Sequence, residues 1–543
     1  MADPQREVPA PPDGTRYRND IETLTNLEMD NLIWAFHAIQ NLDPDDDNSF
    51  FKIAGFHGEP FRGAGYSNAQ WWGGYCNHGN ILFPTWHRAY VLRLEKALQR
   101  QVPGVMMAYW DELATLPTGE PRDIPSIFLE PTYAWRSDEY AGRDPIPNPL
   151  YSYTFQRGIV DARGSFPDAD YTKPIYYQTV RYPYSGLVGP NDNSVTTAHN
   201  LLMNRLGPQT TGQLLKDNVK TWLTGPVYRT SNGRVIINVG TRNHYLESLR
   251  APNYTVYSNT SSADRWNEEH GDEAGFAVIY PIESPHNAIH LAVGGIQIPA
   301  QDASFVPDAN GDMGENETAS FDPIFFFHHC FVDRMFWWWQ NCHDRQNDLG
   351  GIIAGYPGTN SVDAQGPTPG IAGGTWLSLD TALAPFTKRD LGIRSGKKRT
   401  AVTSKDVINI HKLGYAYPGR MTLPNDLTSP AARHAHLSVG GINRAAISGS
   451  FAVSAWAFSS NVNPPMLIGV MPVLSRWHTV GCANCQNHLE VRGHFPLRGY
   501  SQDKVQSTAF EVRVHTRDNP DGVPTQDGPR PRHRLKTGPM VEN

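Results

Sequence analysis

The sequence predicts a mainly α-helical domain with long loops, followed by a smaller C-terminal domain of β-strands in a sandwich-like arrangement. Three observations lead to this fold class. Apolar residues recur at helical spacing in four stretches before residue 341. Proline, glycine and tyrosine dominate residues 117–240, which favours long loops with short elements there. Roughly the last hundred residues are instead rich in β-branched and aromatic side chains with partial alternation, as in strands.

The helical stretches define the first domain. The first two are LEMDNLIWAFHAIQNL (residues 27–42) and WHRAYVLRLEKALQ (residues 86–99). Two more are expected near residues 285–293 and 323–340. A loop-rich stretch at residues 350–401 then leads to the segment LGYAYPG, which ends at residue 419. We expect the first domain to occupy residues 1–417.

A connector separates the two predicted domains. The segment LPNDLTSPAARHAH (residues 423–436) has the composition of a linker, so residues 418–437 are expected to join the domains. Strands are expected beyond it in AAISGSFAVSAWAF, PMLIGVMPVL and STAFEVRVHT. These segments belong to a C-terminal domain at residues 438–543.

The composition argues against several partners and locations. The net charge of −7 is spread along the chain, so neither nucleic acid nor an anionic membrane is expected as a partner. The longest apolar stretch, residues 465–474, is too short to cross a bilayer, and the first twenty residues contain no apolar signal segment. Five cysteines are too few for a secreted disulfide framework. We therefore expect a cytoplasmic protein with a small-molecule partner.

Histidine pairs are the strongest chemical signal. His286 and His290 are four residues apart, so on a helix both imidazoles project from one face and can bind one metal ion. His328 and His329 lie in an intensely aromatic stretch, where burying an unpartnered imidazole is costly. A metal would offset that cost, although hydrogen bonds to backbone carbonyls would also do so.

Three further histidines precede these pairs. His57, His78 and His87 follow one another near a glycine-flanked loop and the start of a helix. Two sets of three imidazoles suit copper, zinc, iron or nickel and leave an open position at each ion. Two ions roughly 3.5–4 Å apart could share a diatomic ligand between them. The histidine count does not select the metal.

The motifs around these histidines resemble those of the type-3 copper family, and most closely those of fungal tyrosinases (polyphenol oxidases). The matching segments are HGEP, YCNHGNILFPTWHRAY, PHNAIH, FDPIFFFHHCFVDR and GYAYP, in order from about residue 14 to residue 417. The resemblance implies a helix bundle that holds two copper ions and uses dioxygen as co-substrate. It assigns one triplet to each ion: His57, His78 and His87 to copper A, and His286, His290 and His329 to copper B.

The resemblance also implies supporting roles near the copper ions. His329 is the ligand of its pair because it lies four residues before Asp333, which is expected to support a ligand imidazole. A salt bridge to an arginine such as Arg334 is the alternative for Asp333. Cys76, in a Cys-X-His pattern, is expected to form a thioether with His78, which would fix that imidazole in place. The alternative is a free buried cysteine.

The implied reaction is ortho-hydroxylation of a monophenol and oxidation of the o-diphenol to an o-quinone. A free phenol has a pKa of about 10, so hydroxylation needs a base. The family pattern points to a water held by Glu283 and Asn287. Alternatively, Glu283 caps the helix that carries the histidines and Asn287 faces solvent.

Three more positions are expected to shape the substrate pocket. Asn316 stands where many plant enzymes have a phenylalanine over copper A, so the entrance is expected to be more open. Leu291 replaces a basic residue found in some tyrosinases, which makes a preference for acidic substrates doubtful. Phe325 is expected beside the substrate ring, with a plain core role equally open. Phe331 replaces an asparagine common in the family, with no consequence that we can name.

The resemblance further implies that the C-terminal domain covers the copper ions until an activating protease cuts within residues 418–437. A blocking side chain is expected from the loop at residues 471–475. A Cys-X-X-Cys motif in this domain suits Cu(I) handling, with a structural zinc site or a redox disulfide as alternatives. Its four candidate ligands are His478, Cys482, Cys485 and His488.

Three functions remain open at this point. The first is a latent tyrosinase acting on small phenols. The second is a catechol oxidase or o-aminophenol oxidase without monophenolase activity. The third is a haemocyanin-like oxygen carrier, in which a β-rich domain also covers two copper sites. A homo-oligomer is possible in each case.

Overall fold

The computed structural model describes seventeen segments of the chain. They are residues 14–59, 74–160, 171–188, 193–225, 227–229, 235–238, 240–273, 276–298, 306–363, 368–394, 400–419, 435–459, 462–476, 489–498, 500, 502–522 and 531–536. Within these segments, no helix has both the length and the apolar character needed to cross a membrane.

Helices dominate the part of the chain before residue 420. In the described residues they are α1 (Asn26–Gln40), α2 (Phe50–Gly55), α3 (Phe83–Gln101), α4 (Asn193–Leu206), α5 (Pro208–Thr224), α6 (Thr241–Ser248), α7 (Tyr254–Ser258), α8 (Thr260–His270), α9 (Glu283–Gly294), α10 (Ile324–Cys342) and α11 (Ser404–Val407), with α12 (Gln502–Ser507) later in the chain. Local chemistry sets several boundaries. Thr25 and Glu28 form a capping box at the start of α1, and a proline in the first turn begins α3.

Short strands pair within the helical body. They are β1 (Arg16–Tyr17), β2 (Thr132–Tyr133), β3 (Ile146–Pro147), β4 (Val227–Arg229), β5 (Val235–Asn238), β6 (Ala382–Thr387), β7 (Ala401–Thr403) and β8 (Tyr415–Ala416). Strand β1 pairs in parallel with β8, so the first and last described segments of the body lie side by side. This pairing brings residues far apart in sequence to one end of the helix bundle.

The C-terminal part forms two three-stranded antiparallel sheets. Its strands are β9 (His436–Asn443), β10 (Phe451–Ser459), β11 (Val462–Val473), β12 (Glu490–Pro496), β13 (Ala509–His515) and β14 (Arg532–Lys536). Strand β10 lies between β11 and β13, and β9 lies between β12 and β14. Apolar residues between Ala435 and Val514 form a core of their own. We call this part, residues 435–536, the lid.

The lid also packs against the helical body. Several of its apolar side chains belong to the main core: Ala452, Trp456, Leu467, Val470 and Leu474. Strand β11 runs along α9, the helix that carries two of the predicted metal ligands. The fold class expected from the sequence is therefore confirmed, with a helical body and a sheet-containing C-terminal part.

One expectation for the helical body is wrong. Residues 117–240 contain α4 and α5, which are 14 and 17 residues long, where long loops with short elements were expected. The average composition of the region concealed two amphipathic segments. Gly207 separates them with φ of 80°, a conformation that glycine adopts at no steric cost.

Candidate metal centre

Four helices and a loop bring the predicted copper ligands together. His57 follows α2, His78 lies in a loop, and His87 lies in the first turns of α3. His286 and His290 share one face of α9, and His329 lies on α10. All six side chains are buried. The aromatic helices α3 and α10 thus carry polar rings into a region that is otherwise apolar, which is stable only when those rings are satisfied.

The first triplet is compact. The ring centroid of His57 lies 5.3 Å from that of His78 and 5.7 Å from that of His87. The centroids of His78 and His87 are 5.1 Å apart. His57, Cys76 and His78 each offer a ligand atom within 4.8 Å of the other two.

The second triplet is tighter still. The Nε2 atom of His329 lies 3.2 Å from Nε2 of His286 and 3.4 Å from Nε2 of His290. Three imidazole nitrogens therefore converge on one small volume. The two triplets also face each other, because the rings of His87 and His329 stack with centroids 4.5 Å apart.

Backbone carbonyls fix which nitrogen points inward in three of the six rings. Nδ1 of His57 donates to the carbonyl oxygen of Asn316 at 2.7 Å, and Nδ1 of His290 donates to that of Met313 at 2.8 Å. Nδ1 of His87 likewise donates to a carbonyl one turn earlier, at 2.8 Å. Each bond leaves the Nε2 lone pair available for a metal.

Several inward nitrogens have no hydrogen-bond partner within the described residues, among them Nε2 of His57 and of His87 and both ring nitrogens of His78. Burial lowers the pKa of all six imidazoles, and for His87 the value is about 3. The rings are therefore neutral at physiological pH and present lone pairs. Buried neutral imidazoles aimed at one another fit a pair of copper ions.

A close glycine contact explains how α9 reaches its position. A Cβ atom on Gly294 would lie 2.2 Å from the backbone nitrogen of Gly314. Only glycine permits this approach. The contact brings α9 against the segment that contains Met313, whose carbonyl orients His290.

His328 has a partner that sequence reasoning missed. Its Nδ1 lies 2.6 Å from Oε1 of Glu112, and both side chains are fully buried. Its ring stacks on that of His286 at 5.2 Å. Glu112 follows Trp110-Asp111 in a loop, and no spacing pattern connects it with α10. The Glu112 side chain thus fixes the orientation of a ring that borders the second triplet.

Asp333 does not support a ligand imidazole through any hydrogen bond in the part of the chain described. Its Oδ1 accepts from Nε of Arg88 at 2.5 Å, and its Oδ2 accepts from Nη1 of Arg18 at 3.2 Å. The hydroxyls of Tyr415 and Tyr417 each donate to Oδ2 at 2.6 Å. The expected contact is therefore replaced by a buried network that ties β1, α3, α10 and β8 together. The salt-bridge alternative describes Asp333 better, but with different arginines.

Arg334, the arginine named for that alternative, pairs elsewhere. Its Nη1 lies 3.3 Å from Oδ2 of Asp111. The reason is geometric, since consecutive residues of α10 point in directions about 100° apart and cannot easily pair with each other.

Cys76 lies between the first triplet and the lid. It is buried and forms no disulfide. Nη2 of Arg476, from the lid, lies 2.9 Å from its Sγ. The thioether with His78 stays a prediction, with the proximity of the two side chains in its favour. The side chain that reaches this site from the lid is thus Arg476, just beyond the segment 471–475 where a blocking residue was expected.

Glu283 and Asn287 are both buried, and neither matches the simple alternative. One oxygen of Glu283 accepts from the backbone N–H of Gly79 at 2.7 Å, and the other accepts from that of Thr260 at 2.8 Å. Glu283 therefore caps α8 instead of its own helix. Asn287 Oδ1 lies 2.9 Å from Nδ1 of His286. Burial raises the pKa of Glu283.

The three expected pocket residues have different surroundings. The ring of Phe325 lies 4.0 Å from that of His329 and 5.0 Å from that of His57, between the two triplets. Asn316 lies beside the first triplet, with Nδ2 3.7 Å from Sγ of Cys76. Leu291 is fully buried in the main apolar core.

A cavity of about 270 Å³ lies between the body and the lid. Asn287 and Ser284 line it from α9, and residues of β11 and β12 line it from the lid. It therefore lies beside α9, the helix that carries His286 and His290. The motif residues His478, Cys482, Cys485 and His488 lie outside the described residues, as do residues 420–434 of the expected linker.

Comparisons with known proteins agree with this geometry. Residues 47–342 match the family model described as the common central domain of tyrosinase. A tyrosinase from Aspergillus oryzae is 46% identical over 529 residues, which cover 93% of this chain and 94% of that protein.

Solved structures give the same result. A tyrosinase from Burkholderia thailandensis at low pH is 39% identical, with a TM-score of 0.79, and the match covers 96% of this chain and all of that one. A holo-protyrosinase from Aspergillus oryzae shares the fold at 18% identity and a TM-score of 0.64, covering 96% of this chain and 93% of that one. The chain belongs to the tyrosinase family, whose members are type-3 dicopper oxidoreductases.

Proposed function

We propose that this tyrosinase-family enzyme is made as a latent proenzyme, in which the lid covers a copper pair held by the two histidine triplets. The enzyme ortho-hydroxylates monophenols and oxidises o-diphenols to o-quinones with dioxygen. One contact is the main support for a latent form. A lid side chain, Arg476, reaches the sulfur of Cys76 beside the first triplet.

Copper would be held by His57, His78 and His87 at one site and by His286, His290 and His329 at the other. When bound, the metal pair would supply the redox chemistry with dioxygen. The chain supplies neutral imidazoles, three of them already oriented by backbone carbonyls, which reduces the ordering cost of binding. The proposed thioether between Cys76 and His78 would fix one more ring.

Monophenol hydroxylation also requires a proton acceptor. We assign this role to a water held by Glu283 and Asn287, and the cavity that Asn287 lines supports the assignment. The contacts of Glu283 also favour a second candidate, a catechol oxidase. Both carboxylate oxygens of Glu283 already accept hydrogen bonds from backbone N–H groups, as a carboxylate with a structural role does.

The remaining features of the proposal concern processing and location. An activating protease would cut within residues 418–437. The lid motif at Cys482 and Cys485 would handle copper, with zinc as the alternative. The proposal also includes a cytoplasmic location, a fungal type and assembly into a homo-oligomer.

Oxygen uptake by copper-loaded protein, before and after limited proteolysis, tests the proposal. Tyrosine and its o-diphenol serve as the two substrates. Uptake on both that rises after cleavage supports a latent tyrosinase. Uptake on the diphenol alone indicates a catechol oxidase, and uptake on neither indicates an oxygen carrier.

A further inference from the structure

The lid places a buried arginine against a carboxylate of the body. Nη1 of Arg476 lies 3.8 Å from Oε1 of Glu317, and the two side chains are 3% and 1% exposed. Nη2 of the same guanidinium contacts Cys76 Sγ. A buried guanidinium is tolerated only where an opposite charge and hydrogen-bond acceptors are close. The body therefore provides a receiving site for a cation next to the first histidine triplet.

Glu317 is distinct from the groups already assigned to the metal centre. It follows Asn316, whose carbonyl oxygen accepts from Nδ1 of His57, so it lies one residue away from a group that orients a copper ligand. It is neither one of the predicted ligands nor part of the Asp333 network. Its carboxylate already faces one group that enters from the lid side, the guanidinium of Arg476.

We propose that Glu317 recognises the cationic tail of phenolic amine substrates, and that Arg476 occupies this position while the lid is closed. The inference rests on the proposed latent form, because the lid must leave before substrate enters. An alkylammonium group carries the same charge as the guanidinium and is smaller, so it fits the space that Arg476 vacates. The carboxylate of a phenolic acid would meet a like charge there.

The sulfur of Cys76 adds to the match. The guanidinium donates to the sulfur and interacts with Glu317 at the same time, and an ammonium group has three donors that can serve both partners. A neutral phenol would gain nothing from either group. The expected order of preference in the opened enzyme is therefore phenolic amine, neutral phenol, then phenolic acid.

The test compares kcat/KM for dopamine and for 3-(3,4-dihydroxyphenyl)propionate in the copper-loaded, lid-cleaved protein. Both substrates are diphenols, so the result does not depend on monophenolase activity. Glu317→Gln should lower the amine-to-acid ratio on the order of fivefold, the effect of one partly exposed ion pair. Glu317→Asp should retain most of the ratio, and Glu317→Lys should reverse the preference.

Glu315→Gln is the matched control. Burial raises the pKa of Glu315 to about 8, and its Oε1 accepts from Asn310 at 2.8 Å, so it is largely uncharged at neutral pH. Its replacement should leave the ratio unchanged. Copper content measured for each variant excludes loss of the metal centre as the cause. An unchanged ratio in Glu317→Gln, or an equal change in Glu315→Gln, would overturn the proposal.

The variant Arg476→Met distinguishes a failure of the Glu317 proposal from a failure of the proposed latent form. With the lid intact, this variant should oxidise dopamine without protease treatment. If neither cleavage nor Arg476→Met raises turnover above that of the intact chain, the latent form is wrong. In that case the amine-to-acid ratio of kcat/KM, measured in the intact chain with and without Glu317→Gln, still tests the role of Glu317.

Discussion

Replacing Asp333 by asparagine distinguishes a carboxylate that closes the helical body from one that orients a copper ligand. The side chain is buried and accepts hydrogen bonds from Arg18, Arg88, Tyr415 and Tyr417. Removing its charge leaves two buried guanidinium groups with less compensation. Loss of one partner of a buried ion pair costs about 3–5 kcal/mol. Asparagine keeps a carbonyl acceptor, so we expect Asp333→Asn to lower the free energy of unfolding by about 3 kcal/mol.

Urea unfolding of the copper-free protein, followed by tryptophan fluorescence, measures this cost as a shift of the midpoint. Asp45→Asn is the matched control. Asp45 also accepts two bonds from one arginine, Arg157, both at 2.8 Å, but on the surface. Its replacement should leave the midpoint unchanged because exposed pairs are screened by solvent.

The effect of Asp333→Asn should depend on pH in a defined direction. Burial by itself raises the pKa of Asp333, but Arg88 and Arg18 outweigh it and hold the pKa below its ordinary value. The charged form therefore contributes its full stability above the ordinary pKa of about 3.9, and this contribution is lost as the pH falls through the lower folded-state pKa. The difference in the free energy of unfolding between wild type and variant should therefore have its full size at pH 7 and shrink below about pH 4.

The reasoning would be refuted by one pattern of results. If Asp333→Asn keeps the wild-type midpoint and loses copper, the carboxylate acts on a ligand imidazole after all. A lower midpoint with copper retained under native conditions matches the contacts described above.

Three further predictions concern the metal centre. Glu112→Gln should weaken copper binding at the second triplet by less than about tenfold, because Glu112 orients His328, which borders that triplet and is not one of its ligands, so metal analysis after dialysis should give a ratio of copper to chain close to two. Glu283→Gln should lower monophenolase activity about tenfold or more relative to diphenolase activity if the carboxylate holds the water that acts as base; an equal fall in both activities would indicate that only its bond to Gly79 matters. Chelation of copper should abolish oxygen uptake and lower the unfolding temperature, and copper should restore both, whereas zinc should restore stability alone.

The histidine triplets were predictable because spacing and local pattern specify them. His286 and His290 share a helix face through their separation of four residues, and the aromatic stretch around His329 identifies a buried helix. The resemblance then selected His329 from its pair. These signals are local, and local periodicity is what a single sequence carries.

Contacts between distant segments were not predictable in the same way. Glu112 meets His328 from 216 positions away, and no pattern in either segment indicates the other. Asp333 was interpreted from its distance to His329 along the chain, yet its direction on α10 takes it toward Arg18 and Tyr415. A residue's partners on a buried helix depend on what packs against that face, and the sequence of the helix alone does not contain that information.

The contact of Arg476 shows how lid and metal centre depend on each other. A lid held only by apolar packing could shift along the body, since such packing has little directional preference. The guanidinium has fixed donor directions and meets Cys76 and Glu317 at one place. Together with other ion pairs between lid and body, such as Arg498 with Glu247 and Arg534 with Glu268, it fixes where the lid sits. Because the same carboxylate would remain after the lid leaves, closure of the site and choice of substrate would depend on one residue, Glu317.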